Sequence, residues 1–525
     1  MDKSIKKLNK KELFFASLFF TIFSFIMMYF CTASSFRYAV NPWNDANSFF
    51  TMGKAMANGI IPYKDVFEQK GPLLYLIHAL AYLISKTSFT GVYIFESIGT
   101  AITATFIYKI SRLYTDKWQS VIVSAASFLF IVSSFCFYVG DSAEEFVLPF
   151  MTVSLYYLLR FFTNPAENEL KWNDYMLAGF FVGCVAMIKF TLIGFWFAWM
   201  GILMLYTLFS QKKIGKVFTS VAAFFAGVII AFIPWVVYFY LNGALKDFID
   251  VYFVINSSSY GNQNGIITKI LDIFSMFKTR FLQHPVIVGA TVLGAVIPMI
   301  FKRFTDGKFL SRIAVPFAYA SCIFFMFFGG RTFTYYMLPL MLFIIFVFIL
   351  ILSFTNKLSG KKPVKIIAWV LTAAIVISSA AYAAFFHCNS KFTQRDIEKT
   401  YNKKISDYIN SHNPDGKILS YGTLDLGVYL IDDYRDLKKH FEEQNIEYES
   451  YPDNIDSQNE YINNHEVDYV VARTENGDGI EAVYKDNGTL RTDYELVFSE
   501  KFNLIYQRYT DTTEEFTIYL FELKK

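Results

Sequence analysis

The chain has 525 residues and a formal net charge of +3. Hydrophobic residues make up 54% of it and charged residues 18%, against roughly 25% charged residues in a typical soluble domain. This composition excludes a soluble globular protein and is typical of an integral membrane protein. The five cysteines and six histidines are scattered, with no Cys-x-x-Cys pair and no zinc motif, and we find no glycine-rich nucleotide-binding motif. The sequence also gives no indication of a nucleic-acid partner.

Apolar runs of about 20 residues predict membrane-spanning helices. The first run follows the basic segment KSIKKLNKKE, which indicates a cytoplasmic N-terminus. It is too long for a cleavable signal peptide and lacks a clean A-x-A site, so we expect it to be retained. Eleven spans are predicted, at 13–33, 90–111, 118–139, 145–163, 174–188, 190–210, 216–240, 285–302, 312–329, 333–354 and 364–386.

The stretch GPLLYLIHALAYLIS, residues 71–85, is too short to span and opens with Gly-Pro. We interpret it as an interfacial helix on the outer surface. With this helix lying flat, the later basic loops all face the cytoplasm, as the positive-inside rule requires. If it crossed the membrane, those loops would point outward. The basic loops are 109–117, Lys171, 211–216, 302–308 and 356–365.

This topology predicts a transmembrane domain at 1–386 that contains a large external loop at 34–89. It also predicts an external soluble domain at 387–525. Strand-like runs (VDYVVAR, FTIYLFEL) and a helical stretch near 395–411 indicate a small α/β fold for this domain. Its acidic segments, IDDYRD and HFEEQ, show no metal-ligand spacing, and we expect them on a solvated face.

Acidic residues lie at two predicted external positions. Asp45 follows the first span, and Asp141, Glu144 and Glu145 lie in the short loop YVGDSAEEF. Carboxylates beside the bilayer are costly unless they bind something or act as a base. Ordinary solvated loop acids are the alternative.

Three basic residues, Lys70, Lys189 and Arg331, also fall on the predicted external side, against the positive-inside trend. We therefore expect them to compensate an anion such as a phosphate, which arginine can bind with two hydrogen bonds. Snorkelling or pairing with the nearby acids is the alternative.

Carboxylates, cations and many aromatic residues on one face favour sugar transfer from a lipid phosphate. A carboxylate would deprotonate a hydroxyl, which attacks the anomeric carbon while cations stabilise the leaving phosphate. The main alternative is a transporter or flippase of lipid-linked saccharides. Its critical charges would usually lie near the bilayer midplane in repeated halves, and we see no repeat. A non-catalytic scaffold whose tail is the functional part is a second alternative.

The first external loop carries a family resemblance. The segment NPWNDANSFFTMGKAMANGIIPYKDVFEQKGPLLYLIHAL resembles the corresponding loop of bacterial GT-C membrane glycosyltransferases. It is closest to the glycosyltransferase family 39-like group, which is related to protein O-mannosyltransferases and lipid A aminoarabinose transferases. The family pattern of an early Asp, G-x-x-P-Y-x-D and K-G-P is matched by Asp45, Gly59–Pro62–Tyr63–Asp65 and Lys70–Gly71–Pro72. GDSAEEF resembles the second acidic loop and GGRTFTYYMLPL a later Arg/Tyr-Pro turn, so the resemblance covers about residues 10–355.

The resemblance implies an α-helical polytopic GT-C fold with an extracytoplasmic C-terminal domain, in a bacterial plasma membrane. It implies a polyprenyl-phosphate donor of a hexose or pentose, and inversion at the anomeric carbon with Asp45 as base. The acceptor would be a hydroxyl of a cell-envelope glycan, lipid, teichoic acid or protein. A divalent metal is left open, with Asp45 and Glu144 as its candidate ligands. The other site residues it implies are Lys70, Lys189, Arg331 and Tyr335 at the donor phosphate, and Asp65, Asp141, Glu144 and Glu145 for acceptor or metal positioning.

Overall fold

The computed structural model describes residues 8–259, 266–331, 333–358, 395–430, 436–475, 477–504 and 514–525, with scattered positions between 366 and 382. Most of the described chain is helical. The helices before the C-terminal segment are α1 (Lys10–Cys31), α2 (Asn44–Ala57), α3 (Pro72–Ile84), α4 (Thr90–Ser111), α5 (Lys117–Val132), α6 (Ala143–Thr163), α7 (Trp172–Lys189), α8 (Gly194–Leu205), α9 (Ile214–Leu241), α10 (Leu245–Phe248), α11 (Asn256–Ser259), α12 (Ile266–Gln283), α13 (Pro285–Ile300), α14 (Phe309–Phe327) and α15 (Ile345–Leu358).

The chain is a multi-pass membrane protein. Within the described residues, seven helical runs are long and apolar enough to cross a membrane, and the pair α12–α13, bent by 120°, is an eighth candidate. The sequence predicted eleven spans. One of them, 118–139, is shorter than predicted, because α5 has only 16 residues and is about 24 Å long, below the roughly 30 Å of the hydrocarbon core. Another, 364–386, falls on residues of which only scattered positions are described.

The apolar run Trp172–Ser210 turns back on itself at Lys189. The rings of Tyr175 in α7 and Trp199 in α8 lie 5.8 Å apart. In one straight helix these residues would be about 36 Å apart. Lys189 has extended backbone angles, and a short 3-10 helix, Phe190–Ile193, leads into α8. The predicted turn at Lys189 is therefore confirmed, and α7 and α8 form a helical hairpin.

Two short helices precede the second span. The sequence beside Asp45 predicts a helix that begins near Ala46, and the structure has α2 there, beginning at Asn44. The predicted interfacial helix is α3, which has Pro72 in its first turn and only 13 residues, about 20 Å in length. Both helices are thus present as the sequence predicted.

The chain divides into two compact units. The first unit comprises Met1–Cys31, Glu96–Trp235 and Asn262–His387, and the second comprises Thr32–Phe95, Val236–Gly261 and Cys388–Lys525. One boundary, after His387, lies beside the predicted start of the C-terminal domain. The first loop groups with the C-terminal segment in the second unit.

Loops rich in basic residues meet at one end of the first unit. Arg303 donates a hydrogen bond to the carbonyl of Tyr114, and Asp306 donates its backbone N–H to the carbonyl of Phe162. The hydroxyl of Tyr206 in turn donates to the carboxylate of Asp306. The loops after α4, α6, α8 and α13 therefore share one face, which is the arrangement that the positive-inside pattern predicted.

The C-terminal segment contains a four-stranded sheet with strand order β1-β2-β4-β3, formed by β1 (Ile418–Tyr421), β2 (Tyr469–Glu475), β3 (Tyr494–Leu504) and β4 (Glu514–Leu523). Strand β1 is parallel to β2, and β4 is antiparallel to both β2 and β3. Helices Tyr401–His412, Asp453–Asn463 and Ile480–Asp486 accompany the sheet. The buried cluster includes Leu419, Val470 and Phe521. The predicted small α/β fold is confirmed.

Helices α7 and α9 approach closely through two glycines. A Cβ atom on Gly179 would lie 1.8 Å from the carbonyl oxygen of Phe224, and one on Gly227 would lie 2.0 Å from that of Met176. Such distances leave no room for a side chain. Small residues of this kind let the backbones of membrane helices pack directly.

Gly179→Ala should therefore destabilise the protein, because overpacking costs about 1–3 kcal/mol. Gly201→Ala is the matched control, since a Cβ there would find its nearest neighbour at 4.0 Å and alanine favours a helix by up to about 1 kcal/mol. Thermal unfolding in detergent measures both. We expect a lower Tm for Gly179→Ala only, and equal Tm values would contradict the close approach.

Candidate active site

The acidic loop of the first unit leads into the first turn of α6. The hydroxyl of Ser142 caps this helix by accepting a hydrogen bond of 3.1 Å from the backbone N–H of Glu145. Glu144 and Glu145 therefore lie where the helix dipole favours negative charge. Both glutamates are buried, which differs from the alternative of solvated loop acids.

Lys189 and Glu144 form a buried ion pair. The ammonium of Lys189, at the turn between α7 and α8, lies 2.7 Å from Oε1 of Glu144. The same ammonium lies 3.5 Å from the ring centroid of Tyr336 and 5.6 Å from that of Tyr335. Both rings stabilise the cation through their π faces. The structure thus brings together three of the sequence-predicted residues and adds Tyr336.

A second group of acids lies at the same loop. The backbone N–H of Asp141 donates to Oε1 of Glu96 at 2.7 Å and to Oε2 of Glu145 at 3.0 Å. Asp141 has a φ of 60°, a left-handed conformation that is strained for a residue with a side chain. The carboxyl groups of Glu96 and Glu145 therefore lie close together, because both accept from the same backbone N–H. The sequence reasoning missed Glu96, although a single acid in an apolar span is itself a functional signal.

The acids of this loop are also candidate metal ligands. Within the described residues, no group of three or more His, Cys, Asp or Glu side chains is arranged to hold one metal ion. Glu144 already faces the ammonium of Lys189, and Glu96 and Glu145 accept a hydrogen bond from the same backbone N–H.

Two further predicted residues lie after α14. Arg331 is half-buried in the segment that precedes a 3-10 helix, Thr334–Ile344. Tyr335 lies in the first turn of that helix and stacks on Phe333, with ring centroids 5.5 Å apart. The cation–π contact with Lys189 places Tyr335 beside the buried ion pair.

Asp45 lies in the second unit, in the first turn of α2. It is half-buried, whereas every residue from Ala46 to Ala55 is buried. Trp43, which immediately precedes α2, donates its backbone N–H to the side-chain oxygen of Asn41 at 3.0 Å.

Lys70 lies close to another part of the first loop. Its ammonium is 3.6 Å from Oε1 of buried Glu68 and 5.3 Å from the ring centroid of Phe49. The backbone N–H of Lys70 and the hydroxyl of Tyr75 both donate to Oε2 of Glu68. Lys70 is therefore paired with a nearby acid, Glu68, which is one of the alternatives that the sequence left open.

The predicted residue Asp65 closes a turn. Its carboxylate accepts a hydrogen bond of 2.8 Å from the backbone N–H of Ile61, and the side chain is exposed. Within the same turn, buried Tyr63 has a φ of 70° and donates its hydroxyl to the carbonyl of Lys70 at 2.6 Å. The G-x-x-P-Y-x-D pattern thus shapes the loop that leads to Lys70 and α3.

Buried acids of the C-terminal segment contact α2. Oε2 of Glu442 accepts a hydrogen bond from the hydroxyl of Ser48, and Oδ2 of Asp425 accepts one of 2.6 Å from the hydroxyl of Thr51. The ammonium of Lys54 donates to the carbonyl of Tyr429 at 2.8 Å. The expected solvated face is therefore wrong for HFEEQ, because Glu442 is fully buried. Most of IDDYRD lies outside the described residues.

Burial raises the pKa of Asp425 to about 6, although its hydrogen bonds from Thr51 and Gly427 and the charge of Lys54 oppose the shift. Burial also raises the pKa of Glu442 well above its ordinary range, and the nearby carboxylates of Asp425 and Glu68 add to this effect. In both cases the folded chain binds the proton more tightly than the unfolded chain does.

Removing one member of the buried ion pair should destabilise the first unit. Lys189→Met leaves the carboxylate of Glu144 buried without its cation, which costs about 3–5 kcal/mol. The double variant Lys189→Met/Glu144→Gln should recover most of the loss, since no buried charge remains. Thermal unfolding of the four proteins of the cycle gives the coupling.

The matched control is Lys404→Met. Lys404 lies at the same 2.7 Å from Glu500, but both side chains are about one third exposed, so we expect a loss of about 0–1 kcal/mol. Equal losses for the two lysine variants would contradict a special cost for the buried pair.

The raised pKa of Asp425 predicts a pH dependence of stability. Between about pH 4 and pH 6 the unfolded chain loses the Asp425 proton while the folded chain keeps it, so stability falls as the pH rises through this range. The shift corresponds to on the order of 3 kcal/mol. Asp425→Asn should reduce the difference in Tm between pH 4.5 and pH 7.5, and an unchanged difference would contradict the shift.

Comparison with known proteins supports the resemblance. Residues 69–238 match the family model described as dolichyl-phosphate-mannose-protein mannosyltransferase. This segment includes Lys70, Glu144 and Lys189, and it begins after Asp45. No curated protein matches the chain.

Solved structures extend the similarity to nearly the whole chain. ArnT from Cupriavidus metallidurans bound to undecaprenyl phosphate is 11% identical, with a TM-score of 0.56 that covers 95% of this chain and 97% of that chain. Its apo state gives 11% identity and a TM-score of 0.54 over the same shares. The oligosaccharyltransferase AglB from Archaeoglobus fulgidus, in complex with an inhibitory peptide and a dolichol-phosphate, is 13% identical, with a TM-score of 0.47 over 87% of this chain and 69% of that chain.

The chain is therefore an α-helical multi-pass membrane protein with the GT-C glycosyltransferase fold and a small C-terminal α/β segment, and its similarity to the GT-C family is confirmed by the match over residues 69–238.

Proposed function

We propose that this protein is a membrane glycosyltransferase that moves a sugar from a polyprenyl-phosphate donor to a hydroxyl of a cell-envelope acceptor. The observation that carries the proposal is the fold match with ArnT, a protein crystallised with undecaprenyl phosphate, over 95% of this chain. The family match over residues 69–238 supports the same reaction class. The acceptor would be a glycan, lipid, teichoic acid or protein, and the sugar a hexose or pentose.

The proposed reaction is a single displacement. The acceptor hydroxyl gives its proton to the carboxylate of Asp45 while its oxygen forms a bond to the anomeric carbon. The bond from that carbon to the phosphate oxygen breaks, and the polyprenyl phosphate leaves with the bonding electrons. Attack from the face opposite the leaving group inverts the anomeric centre. General-base catalysis of this kind contributes roughly 100- to 10,000-fold in rate.

Three cations are proposed to stabilise the leaving phosphate, namely Lys70, Lys189 and Arg331. The ammonium of Lys189 is held by Glu144 and by the rings of Tyr335 and Tyr336, so its position is fixed before a ligand binds. Fixed cations stabilise developing negative charge without reorganisation. Asp65, Asp141, Glu144 and Glu145 are proposed to position the acceptor or a metal ion.

The proposed setting is the outer face of a bacterial plasma membrane. The basic loops that meet at one end of the first unit would lie in the cytoplasm. The C-terminal segment and Asp45 would then lie outside, where acceptors of the cell envelope are found.

Asp45→Asn tests the proposed base. Asparagine keeps the size of the side chain and loses the ability to take a proton, so transfer should fall by at least about 100-fold while binding of undecaprenyl phosphate is kept. The assay follows labelled glucose, mannose or galactose from undecaprenyl-phosphate donors into lipid, polymer and protein fractions of native membranes.

The control for this experiment is Asp415→Asn, the same substitution at an exposed turn of the C-terminal segment. It should transfer at the parental rate. Parental transfer by Asp45→Asn would exclude Asp45 as the base. Movement of the intact donor across the bilayer, without sugar transfer by the parent, would favour a flippase instead.

A further inference from the structure

Helix α2 is buried on two faces within the second unit. One face packs on α3, where a Cβ atom on Gly53 would lie only 2.5 Å from the backbone of His78. The other face carries Ser48, Thr51 and Lys54. Residues three apart lie on one side of a helix, so these three polar side chains form a stripe.

The whole stripe faces the C-terminal segment. Ser48 donates to Glu442, Thr51 donates to Asp425, and Lys54 donates to the carbonyl of Tyr429. The two acids are linked as well, because the backbone N–H of Asp425 donates to Glu442 at 2.6 Å. We name these two acids, Asp425 and Glu442, the buried acid pair.

Burying two carboxyl groups against a helix costs free energy of desolvation. Both side chains are fully buried, and carboxyl groups removed from water cost free energy unless hydrogen bonds satisfy them. Here each oxygen has a defined donor: Gly427 N–H and Thr51 bond Asp425, while Gln444 and Ser48 bond Glu442. Hydrogen bonds of this kind are directional. They therefore restrict the rotation of α2 about its axis and its shift along that axis more narrowly than apolar contacts would.

A second contact fixes the chain after α2. The ring of Phe67 stacks on Tyr451 with centroids 4.7 Å apart and lies 5.3 Å from the His440 ring. The backbone N–H of Phe67 donates to the carbonyl of Lys439 at 2.8 Å. The C-terminal segment therefore holds the first loop at two separate points.

The stripe connects directly to the turn that carries Asp45. The hydroxyl of Ser48 also lies 3.0 Å from the carbonyl oxygen of Asn44, in the peptide group that joins Asn44 to Asp45. Asp45 is three residues before Ser48 and therefore lies beside it on the helix surface. A rotation or shift of α2 would move Asp45 with it.

We propose that the C-terminal segment positions Asp45 for transfer, and that Asp425 and Glu442 are the positioning residues, acting through Thr51 and Ser48. The proposal rests on the proposed function of Asp45 as base. A displacement of about 1 Å can cost roughly 100-fold in rate, so a segment that carries no reacting group still controls the reaction.

Thr51→Val and Thr51→Ser test the positioning role as a matched pair. Valine keeps the shape of threonine and removes the hydroxyl that bonds Asp425, whereas serine keeps the hydroxyl. We expect Thr51→Val to lower kcat by about 10- to 100-fold with the KM for the undecaprenyl-phosphate donor changed less than about twofold. Thr51→Ser should restore kcat to near the parental value.

Glu442→Gln and Glu443→Gln form a second matched pair. The substitution Glu443→Gln changes a half-buried neighbour of the same type, whereas Glu442→Gln removes one acceptor from the buried acid pair. We expect only Glu442→Gln to lower kcat. Hydrogen exchange of the amides of residues 46–56, in the full chain, should quicken in Thr51→Val and Glu442→Gln and stay parental in the two controls.

The outcomes separate the two proposals. If Asp45→Asn abolishes transfer while Thr51→Val and Glu442→Gln keep the parental kcat, the positioning role is overturned and the proposed function stands. If the parent transfers no sugar, the proposed function fails, and hydrogen exchange decides whether the buried acid pair restrains α2. Parental exchange in both variants would overturn that restraint.

Discussion

The hydrogen bonding of one buried helix face determines how the second unit is built. Helix α2 follows the first span, and its polar stripe of Ser48, Thr51 and Lys54 must find partners because the helix is buried from Ala46 to Ala55. The partners come from residues nearly 400 positions later in the chain. Burial of these groups is favourable only when every one is satisfied, so the C-terminal segment and the first loop must fold together. The candidate base lies at the end of this helix.

In the first unit a charged side chain is buried among apolar helices and needs a compensating charge. Glu144 is fully buried, and the ammonium of Lys189 at 2.7 Å compensates it. Lys189 lies at the turn where the chain reverses direction between α7 and α8. The direct backbone contact through Gly179 and Gly227 packs α7 on α9. Without the lysine the carboxylate would be destabilising, and without the glycines the helices could not approach as closely.

The division of the chain into two compact units bears on the proposed function of Asp45. The sequence predicted a transmembrane domain at 1–386 and an external soluble domain at 387–525. In the structure the first loop groups with the C-terminal segment in one compact unit. In this unit the helix that carries Asp45 is held by hydroxyl–carboxyl hydrogen bonds whose acids have raised pKa values because of burial. This contact is the basis of the proposal that the C-terminal segment positions Asp45.

Local sequence by itself determined the membrane class, the short helices around Asp45 and Pro72, the turn at Lys189 and two strands of the C-terminal sheet, β2 and β4. These follow from apolar length, proline and alternation, which act over one turn or one strand. Tertiary structure alone decided that Glu442 is buried against the hydroxyl of Ser48 and that Lys189 pairs with Glu144. It also decided that Glu96 and Glu145 accept hydrogen bonds from the same backbone N–H. The physical reason is that a charged side chain has the same local pattern whether it is solvated or buried. Only the distant residue that supplies its hydrogen bond makes burial favourable.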